Sequence, residues 1–178
     1  MDVILRTPRL TLRPQGEADI DANLAGLNDY EVVRFLTVVP YPYTLADARS
    51  WIGSLRPNAV GHAVFAIDLP GHGMIGAVTL LGDLGYWLDR RYHGHGYMTE
   101  ASAALLDWHF AARPDDVVRS GLHLGNTASW GVQKKLGFVD TGRREMKFCR
   151  SQNREVEHMA TTLTRADFEM ARPRQRST

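Results

Sequence analysis

The sequence predicts one α/β (α+β) domain built on a central, mixed, mostly antiparallel sheet flanked by helices. Three observations predict it. Apolar alternation of period two is interleaved with apolar spacing of period 3.6 along the whole chain. Ala63–Leu69 and Met74–Leu81 flank the turn Pro70-Gly71-His72-Gly73, which is the pattern of an antiparallel hairpin. Leu84–Leu88 runs into a glycine-rich turn and then into helical spacing, which is the pattern of a strand-to-helix crossover. With 178 residues, a single domain over residues 1–178 is expected.

Each element has its own signal. Leu10 and Leu12 alternate with Thr11 and Arg13, and Pro14 limits this first strand. Ile20, Leu24 and Leu27 recur at helical spacing, and Glu31–Leu36 reads as a second short helix. Pro40 and Pro42 exclude regular helix around them. Thr44 with Asp47 forms a capping box ahead of the stripe Leu45, Ala48, Ile52 and Leu55, with Trp51 beside it. After the hairpin, Gly82-Asp83 reads as a bulge or a true loop.

Met98, Ala101, Leu105 and Trp108 define an amphipathic helix that Pro114-Asp115-Asp116 closes. Val117, Val118, Leu122 and Leu124 read as a strand. Asn126 is a good N-cap for the helix that follows, with Val132 and Leu136 on one face. Lys134 and Lys135 sit at its C-terminal end, where the dipole favours cations, and Gly137 suits a left-handed C′ position. Phe138–Phe148 and Val156–Leu163 are strands joined by a polar loop near Gln152-Asn153. Thr164 caps a last short helix through Met170, and residues 171–178 form a basic tail expected to fray.

Composition narrows the function. A net charge of +1 points to neither nucleic acid nor a membrane surface as partner. The single cysteine, Cys149, excludes an internal disulfide and suits a reducing compartment. No secretory signal and no membrane-length apolar run stand out, so a cytoplasmic location is expected. His93 and His95 lie two apart with no acidic partner at a recognisable spacing, so no metal is expected.

The stretch that carries chemistry is Arg91-Tyr92-His93-Gly94-His95-Gly96-Tyr97-Met98-Thr99-Glu100-Ala101. Glycines let bare N–H groups approach an anion, and the first turn of a helix leaves such groups without internal partners. Together they make an anion cradle that needs no lysine. A dinucleotide fingerprint needs a third glycine where Thr99 stands, and no Gly-Lys-Ser/Thr triplet of a nucleotidase loop occurs. A Rossmann-type binder is therefore disfavoured.

Arg-x-x-Gly-x-Gly resembles the acyl-CoA pyrophosphate loop of the GNAT acetyltransferases. The flanks, Gly85-Tyr86-Trp87-Leu88-Asp89 and Gly96-Tyr97-Met98-Thr99-Glu100-Ala101, resemble the RimJ/RimL-like subgroup. Asn126-Thr127-Ala128-Ser129, then Gln133-Lys134-Lys135-Leu136-Gly137-Phe138, is similar to a second family segment in the right order. The resemblance implies a GNAT fold whose two central parallel strands splay, here around Gly85–Leu88 and Val118–Leu124. It implies acetyl-CoA as cosubstrate and transfer of the acetyl group to a primary amine, on a peptide N-terminus or a small molecule. Arg91, the backbone of Tyr92, His93, Gly94, His95, Gly96 and Tyr97, and the hydroxyl of Thr99 are then expected at the pyrophosphate. The strand edge at Tyr86, Trp87 and Leu88 would hold the pantetheine amides and supply an oxyanion donor. Asn126 would orient the arm, and Ser129 would reach the sulfur as acid or hydrogen-bond donor. Many relatives place a tyrosine in that role on this helix, where Trp130 neighbours Ser129 here.

Other roles stay open at this level. Asp83, Glu31 and His123 are candidate bases near the expected cleft, and none is assigned. Tyr41 and Tyr43 would line an acceptor pocket or pack on the helix that starts at Leu45. The alternative function is a non-catalytic CoA-binding sensor or interaction module that keeps the cradle without turnover.

Overall fold

The structure, a computed structural model, describes residues 2–172. The strands are β1 (Leu5–Arg6), β2 (Thr11–Pro14), β3 (His62–Leu69), β4 (Gly73–Leu81), β5 (Asp83–Leu88), β6 (Val118–His123), β7 (Val139–Cys149) and β8 (Arg154–Leu163). Among the described residues they form one 8-stranded sheet in the order β1-β2-β3-β4-β5-β6-β8-β7. Every neighbouring pair is antiparallel except β5 with β6, which is parallel. The helices are α1 (Ile20–Leu27), α2 (Tyr30–Val33), α3 (Leu45–Ser54), α4 (Tyr97–Ala112), α5 (Thr127–Leu136) and α6 (Arg165–Ala171).

Alternation along the strands gives the sheet two apolar faces. One face carries Leu12, Phe65, Ile67, Val78, Leu84, Leu88, Val118 and Leu163, and it packs against Met98, Ala101, Leu105 and Leu106 of α4. The side chain of Tyr86 joins this core. On the other face, Trp87 packs against a smaller cluster of Leu27, Tyr43 and Ala48. Tyr43 is therefore a packing residue, buried among α1 and α3, whereas Tyr41 is exposed with its ring 5.3 Å from that of Tyr30.

The capping signals hold. Thr44 Oγ1 accepts from Asp47 N–H at 3.2 Å while the Asp47 carboxylate accepts from Thr44 N–H at 2.8 Å. Thr164 caps α6 by accepting from Asp167 N–H, and Gly137 ends α5 at φ +95°. A side chain at Gly137 would strike the Asp167 carbonyl at 2.5 Å, so the glycine also seats α5 on α6.

Several expectations are corrected. A short strand, β1, precedes the first one expected, paired to β2 at Leu5↔Leu12. Two residues offer no alternation to read. Of the two readings at Gly82-Asp83 the bulge is excluded; at φ +84° Gly82 is a tight turn that reverses the chain between β4 and β5, with Leu81 opposite Asp83. Val117 and Leu124 lie outside β6 and are exposed. Leu45 is exposed as well, because α3 meets the cluster of Leu27 and Tyr43 through Ala48. Of the expected tail, Ala171 closes α6, and Arg172 pairs with Asp107 and covers the Phe168 ring; the rest lies outside the described residues.

The hairpin between β7 and β8 turns back across the sheet end. Arg150 N–H donates to Thr37 C=O at 2.9 Å, Ser151 Oγ to Val33 C=O at 3.0 Å, and Gln152 Nε2 to Arg34 C=O at 2.7 Å. This clasp holds the segment after α2 over the far ends of β6 and β8. The buried Cys149 belongs to the same junction, with Sγ 3.7 Å from Arg34 C=O.

The parallel pair positions everything else. β5 and β6 are in register only at Asp83↔Arg119 and Leu84↔Ser120, and beyond Leu84 they part. β6 stays paired to β8 along its length, and β5 stays paired to β4. At the fork, Ser120 Oγ donates to Leu84 C=O at 2.8 Å. Gln133 Nε2 donates to Ser120 Oγ at 3.0 Å, and Thr161 Oγ1 donates to Gln133 Oε1 at 2.7 Å. Gln133 is fully buried, so a satisfied polar chain joins β8, α5, β6 and β5 where the sheet opens. Replacing Gln133 by leucine strands the Thr161 hydroxyl. The Gln133→Leu protein is expected to lose about 1–3 kcal/mol in a urea titration, and its midpoint should drop accordingly.

Candidate functional site

The fork exposes main-chain groups that a continuous sheet would pair. Asp89 N–H donates to Ile75 C=O at 2.9 Å, and with Ala77 opposite Trp87 this fixes the phase of β5. In an antiparallel ladder, alternate residues direct both backbone groups to one neighbour. Trp87 is thus spent on β4, while Tyr86 and Leu88 turn their N–H and C=O groups into the gap. This corrects the expectation that all of Tyr86–Leu88 present a free edge. The Leu88 carbonyl already has a partner, His93 Nε2 at 2.8 Å.

β5 leads into the glycine loop. Asp89 caps a 3-10 turn at Arg90–Tyr92, and its carboxylate also holds the Arg91 guanidinium at 2.7 Å. That pairing keeps the Asp89 carboxyl below its ordinary range. Gly94 and Gly96 stand at φ +79° and +80°, and Gly96 is the left-handed residue ahead of α4. The first bond inside α4 is Glu100 N–H to Gly96 C=O at 3.0 Å. Among the described residues, the consecutive N–H groups of Gly94, His95, Gly96, Tyr97, Met98 and Thr99 have no backbone or side-chain acceptor. A Cβ built on Gly94 meets nothing within 4 Å, so the loop is open on that side. The geometry is an anion cradle at a helix N-terminus.

Local sequence reading missed the brace beneath this loop. Arg9 donates to the His95 carbonyl at 2.9 Å, pairs with Glu100 at 2.6 Å, and lies 4.6 Å from the centre of the Tyr97 ring. Thr7 Oγ1 donates to Glu100 Oε1 at 2.6 Å. Nothing near residue 9 signals a partner at residue 95. His93 and His95 each bond a carbonyl, and both are exposed. Among the described residues no group of three or more His, Cys, Asp or Glu side chains is placed to hold a metal ion.

The second motif stands on the other side of the fork. Asn126 caps α5 by accepting from Ser129 N–H at 3.1 Å, which leaves its amide N–H₂ free. Ser129, half-buried in the first turn, lies with Oγ 2.9 Å from Tyr86 Oη. The phenol also donates to the Ser129 carbonyl at 3.2 Å. This contact spans the opening from β5 to α5. Burial pushes the Tyr86 phenol up, with Ser129 and Gln133 drawing the other way. Sequence reading used only the backbone of Tyr86; the shared face of Leu84, Tyr86 and Leu88 was the available signal. Farther out, Gly96 and Thr99 line a groove of about 360 Å³ together with Lys135, Leu136, Phe168 and Arg172.

The candidate bases differ in setting. Asp83 is exposed and paired to Arg119 at 3.1 Å, at the closed end of the fork. Glu31 is exposed and paired to Arg34 at 3.0 Å. His123 is buried at the end of β6, with Nε2 3.4 Å from Thr37 Oγ1 and its ring 5.0 Å from that of His158. Burial, then Arg154, lowers the pKa of His123. Burial, then Lys147 and His123, lowers His158 to about 4 against the pull of Glu145. Both imidazoles are neutral at pH 7.

Comparison with known proteins bears on the family and the fold. The family model described as acetyltransferase (GNAT) domain matches residues 9–139. The curated protein named uncharacterized N-acetyltransferase p20, from Bacillus licheniformis, is 27% identical over 149 residues, covering 78% of this chain and 83% of that protein. A GNAT-family acetyltransferase from Bacillus anthracis superposes with a TM-score of 0.77 at 19% identity, covering 92% of this chain and 99% of that one. RimJ from Mycobacterium smegmatis, solved in complex with CoA-disulfide, gives 0.75 at 22% identity, covering 93% and 87%.

The buried histidines carry a pH signature. The folded state binds a proton at His158 only near pH 4, whereas the unfolded chain binds it near 6.5. The contribution of His158 to stability is therefore full above pH 6.5 and is lost as the pH falls toward 4. Denaturation curves should show up to about 3 kcal/mol of His158-linked loss across that window, and His158→Gln should flatten the profile there.

Proposed function

Since the chain belongs to the GNAT acetyltransferase family, we propose that it transfers the acetyl group of acetyl-CoA to a primary amine by direct attack. The observation that carries this reading is the run of unpartnered N–H groups from Gly94 to Thr99 at the open end of a forked sheet. GNAT domains use acetyl-CoA, and these residues fit its parts. The loop N–H groups suit a diphosphate, since they offer donors and a helix N-terminus without a fixed cation. Arg91, once released from Asp89, adds a charge at the loop's rim. The groove between Thr99, Lys135 and Arg172 suits the nucleotide end. The inward N–H groups of Tyr86 and Leu88 suit the pantetheine amides and the thioester oxygen, and the Asn126 amide suits the arm.

A thioester is already activated, so this chain needs no covalent relay. Gripping the donor along the fork places its carbonyl opposite the face that carries Trp87 and His123, where the amine approaches; such alignment supplies several kcal/mol. A main-chain N–H in the gap stabilises the oxyanion of the tetrahedral intermediate. Ser129 donates to the departing sulfur. The clasp of the β7–β8 hairpin on Thr37 walls the acceptor side. The likeness of the loop flanks to the RimJ/RimL-like subgroup supports a peptide N-terminus ahead of a small-molecule amine as acceptor.

The test follows free thiol. The protein with acetyl-CoA and a panel of free-N-terminus peptides and small amines should release thiol only when an acceptor is present. Tight CoA binding with no acceptor-dependent release would favour a CoA sensor instead. Gly94→Val meets no neighbour but strains a left-handed backbone at φ +79°, so the exposed loop shifts while the domain still folds, and CoA binding should weaken about tenfold or more, equal to about 1.4 kcal/mol. Calorimetry with CoA reads this directly, and an unchanged affinity removes the loop assignment. Ser129→Ala should lower kcat about 100-fold with CoA affinity kept.

A further inference from the structure

A serine hydroxyl is a poor acid, and Trp130 beside it has an N–H that does not ionise at working pH. The structure places a far better acid against the serine. Tyr86 Oη lies 2.9 Å from Ser129 Oγ and 3.2 Å from the Ser129 carbonyl, from a strand whose backbone faces the same gap. We propose that Tyr86 acts through Ser129, replacing the proton that Ser129 gives to the departing thiolate. The proposal rests on the acetyl-transfer reading above.

The geometry permits two proton arrangements without moving a heavy atom. In the first, the serine hydroxyl donates to the phenol oxygen and the phenol donates to the Ser129 carbonyl. In the second, the serine hydroxyl turns toward the sulfur and the phenol turns onto Oγ. The phenol proton has both acceptors within reach, so the change needs only hydroxyl rotation. During collapse of the tetrahedral intermediate the C–S bond breaks and sulfur keeps the electron pair. The oxyanion re-forms the carbonyl. The Ser129 proton passes to sulfur and the Tyr86 proton passes to Oγ. The phenolate then regains a proton from water, to which the attacking amine has released its own. Atoms and charge balance with no further reactant.

The surroundings suit the role. Tyr86 packs in the core beneath α4, so its hydroxyl is held in place. The fork clasp adjoins it, since Gln133 lies one helical turn beyond Ser129 on α5 and bonds Ser120 and Thr161. The phenol stays protonated across the neutral range because burial raises it. Tyr86 is thus a positioning and proton-supplying residue behind Ser129, not a group that touches substrate.

The experiment compares wild type, Tyr86→Phe and Ser129→Ala, using acetyl-CoA with the panel amine that gives the fastest thiol release. Tyr86→Phe should lower kcat about tenfold or more while KM for acetyl-CoA and calorimetric CoA affinity stay within twofold. In mixtures of H₂O and D₂O, the wild-type rate should bend with deuterium fraction, as for protons moving together, and Tyr86→Phe should give a straight line. A wild-type rate in Tyr86→Phe, or the same curvature, overturns the relay. If Tyr86→Phe fails to fold, difluorotyrosine at position 86 keeps the bond. A downward shift of the alkaline limb of kcat then supports the relay, and an unmoved limb overturns it. A fast Ser129→Ala protein sinks the serine assignment and the relay with it. A slow Ser129→Ala beside an unimpaired Tyr86→Phe sinks the relay alone.

Discussion

The arrangement depends on a sheet that refuses to close. Two strands that start as parallel neighbours keep their ladder only through Leu84 and Ser120, and then each remains loyal to its other partner. Unpaired main-chain groups inside a sheet are costly unless something else bonds them. The chain accepts that cost at Tyr86 and at the Leu88 N–H, lets His93 bond the Leu88 carbonyl, and confines the opening with a polar chain through Ser120, Gln133 and Thr161. The fork is therefore held open from its closed end.

The electrostatics follow the same economy. The loop offers main-chain dipoles instead of fixed cations, and its arginine is neutralised locally by Asp89. Arg9 spends its charge bracing the loop from outside, against Glu100 and a carbonyl. With a net charge of +1 the molecule has little long-range pull on anions. Selectivity at such a site comes from shape and donor geometry more than from charge, which suits a large ligand with a short anionic stretch.

Legibility in the sequence tracked how local the cause was. The capping box at Thr44, the N-cap at Thr164, the left-handed Gly137 and the cap at Asn126 all act within a few residues, and each was readable. Strand-helix alternation gave the fold class, and the motif order gave the family. The braces were not readable, because they join residues far apart: Arg9 with His95, Tyr86 with Ser129, Arg150 with Thr37. The phase of β5 was also hidden, since which backbone groups face the gap depends on the register with β4. Exposure of Leu45 and burial of Tyr43 were set by tertiary packing, on which helical spacing alone is silent.

The strand order has a further meaning for biosynthesis. β8, late in the chain, lies between β6 and β7. While the ribosome is still making residues before Arg154, β6 has no long partner and β7 has nowhere to dock. N-terminal segments emerge first and fold as they can. Strands β1 to β5 have their sheet partners early in synthesis, whereas the cleft exists only after the final strand is threaded into place. A nascent chain stalled before that point exposes two lone strands, the kind of surface that chaperones and proteases inspect.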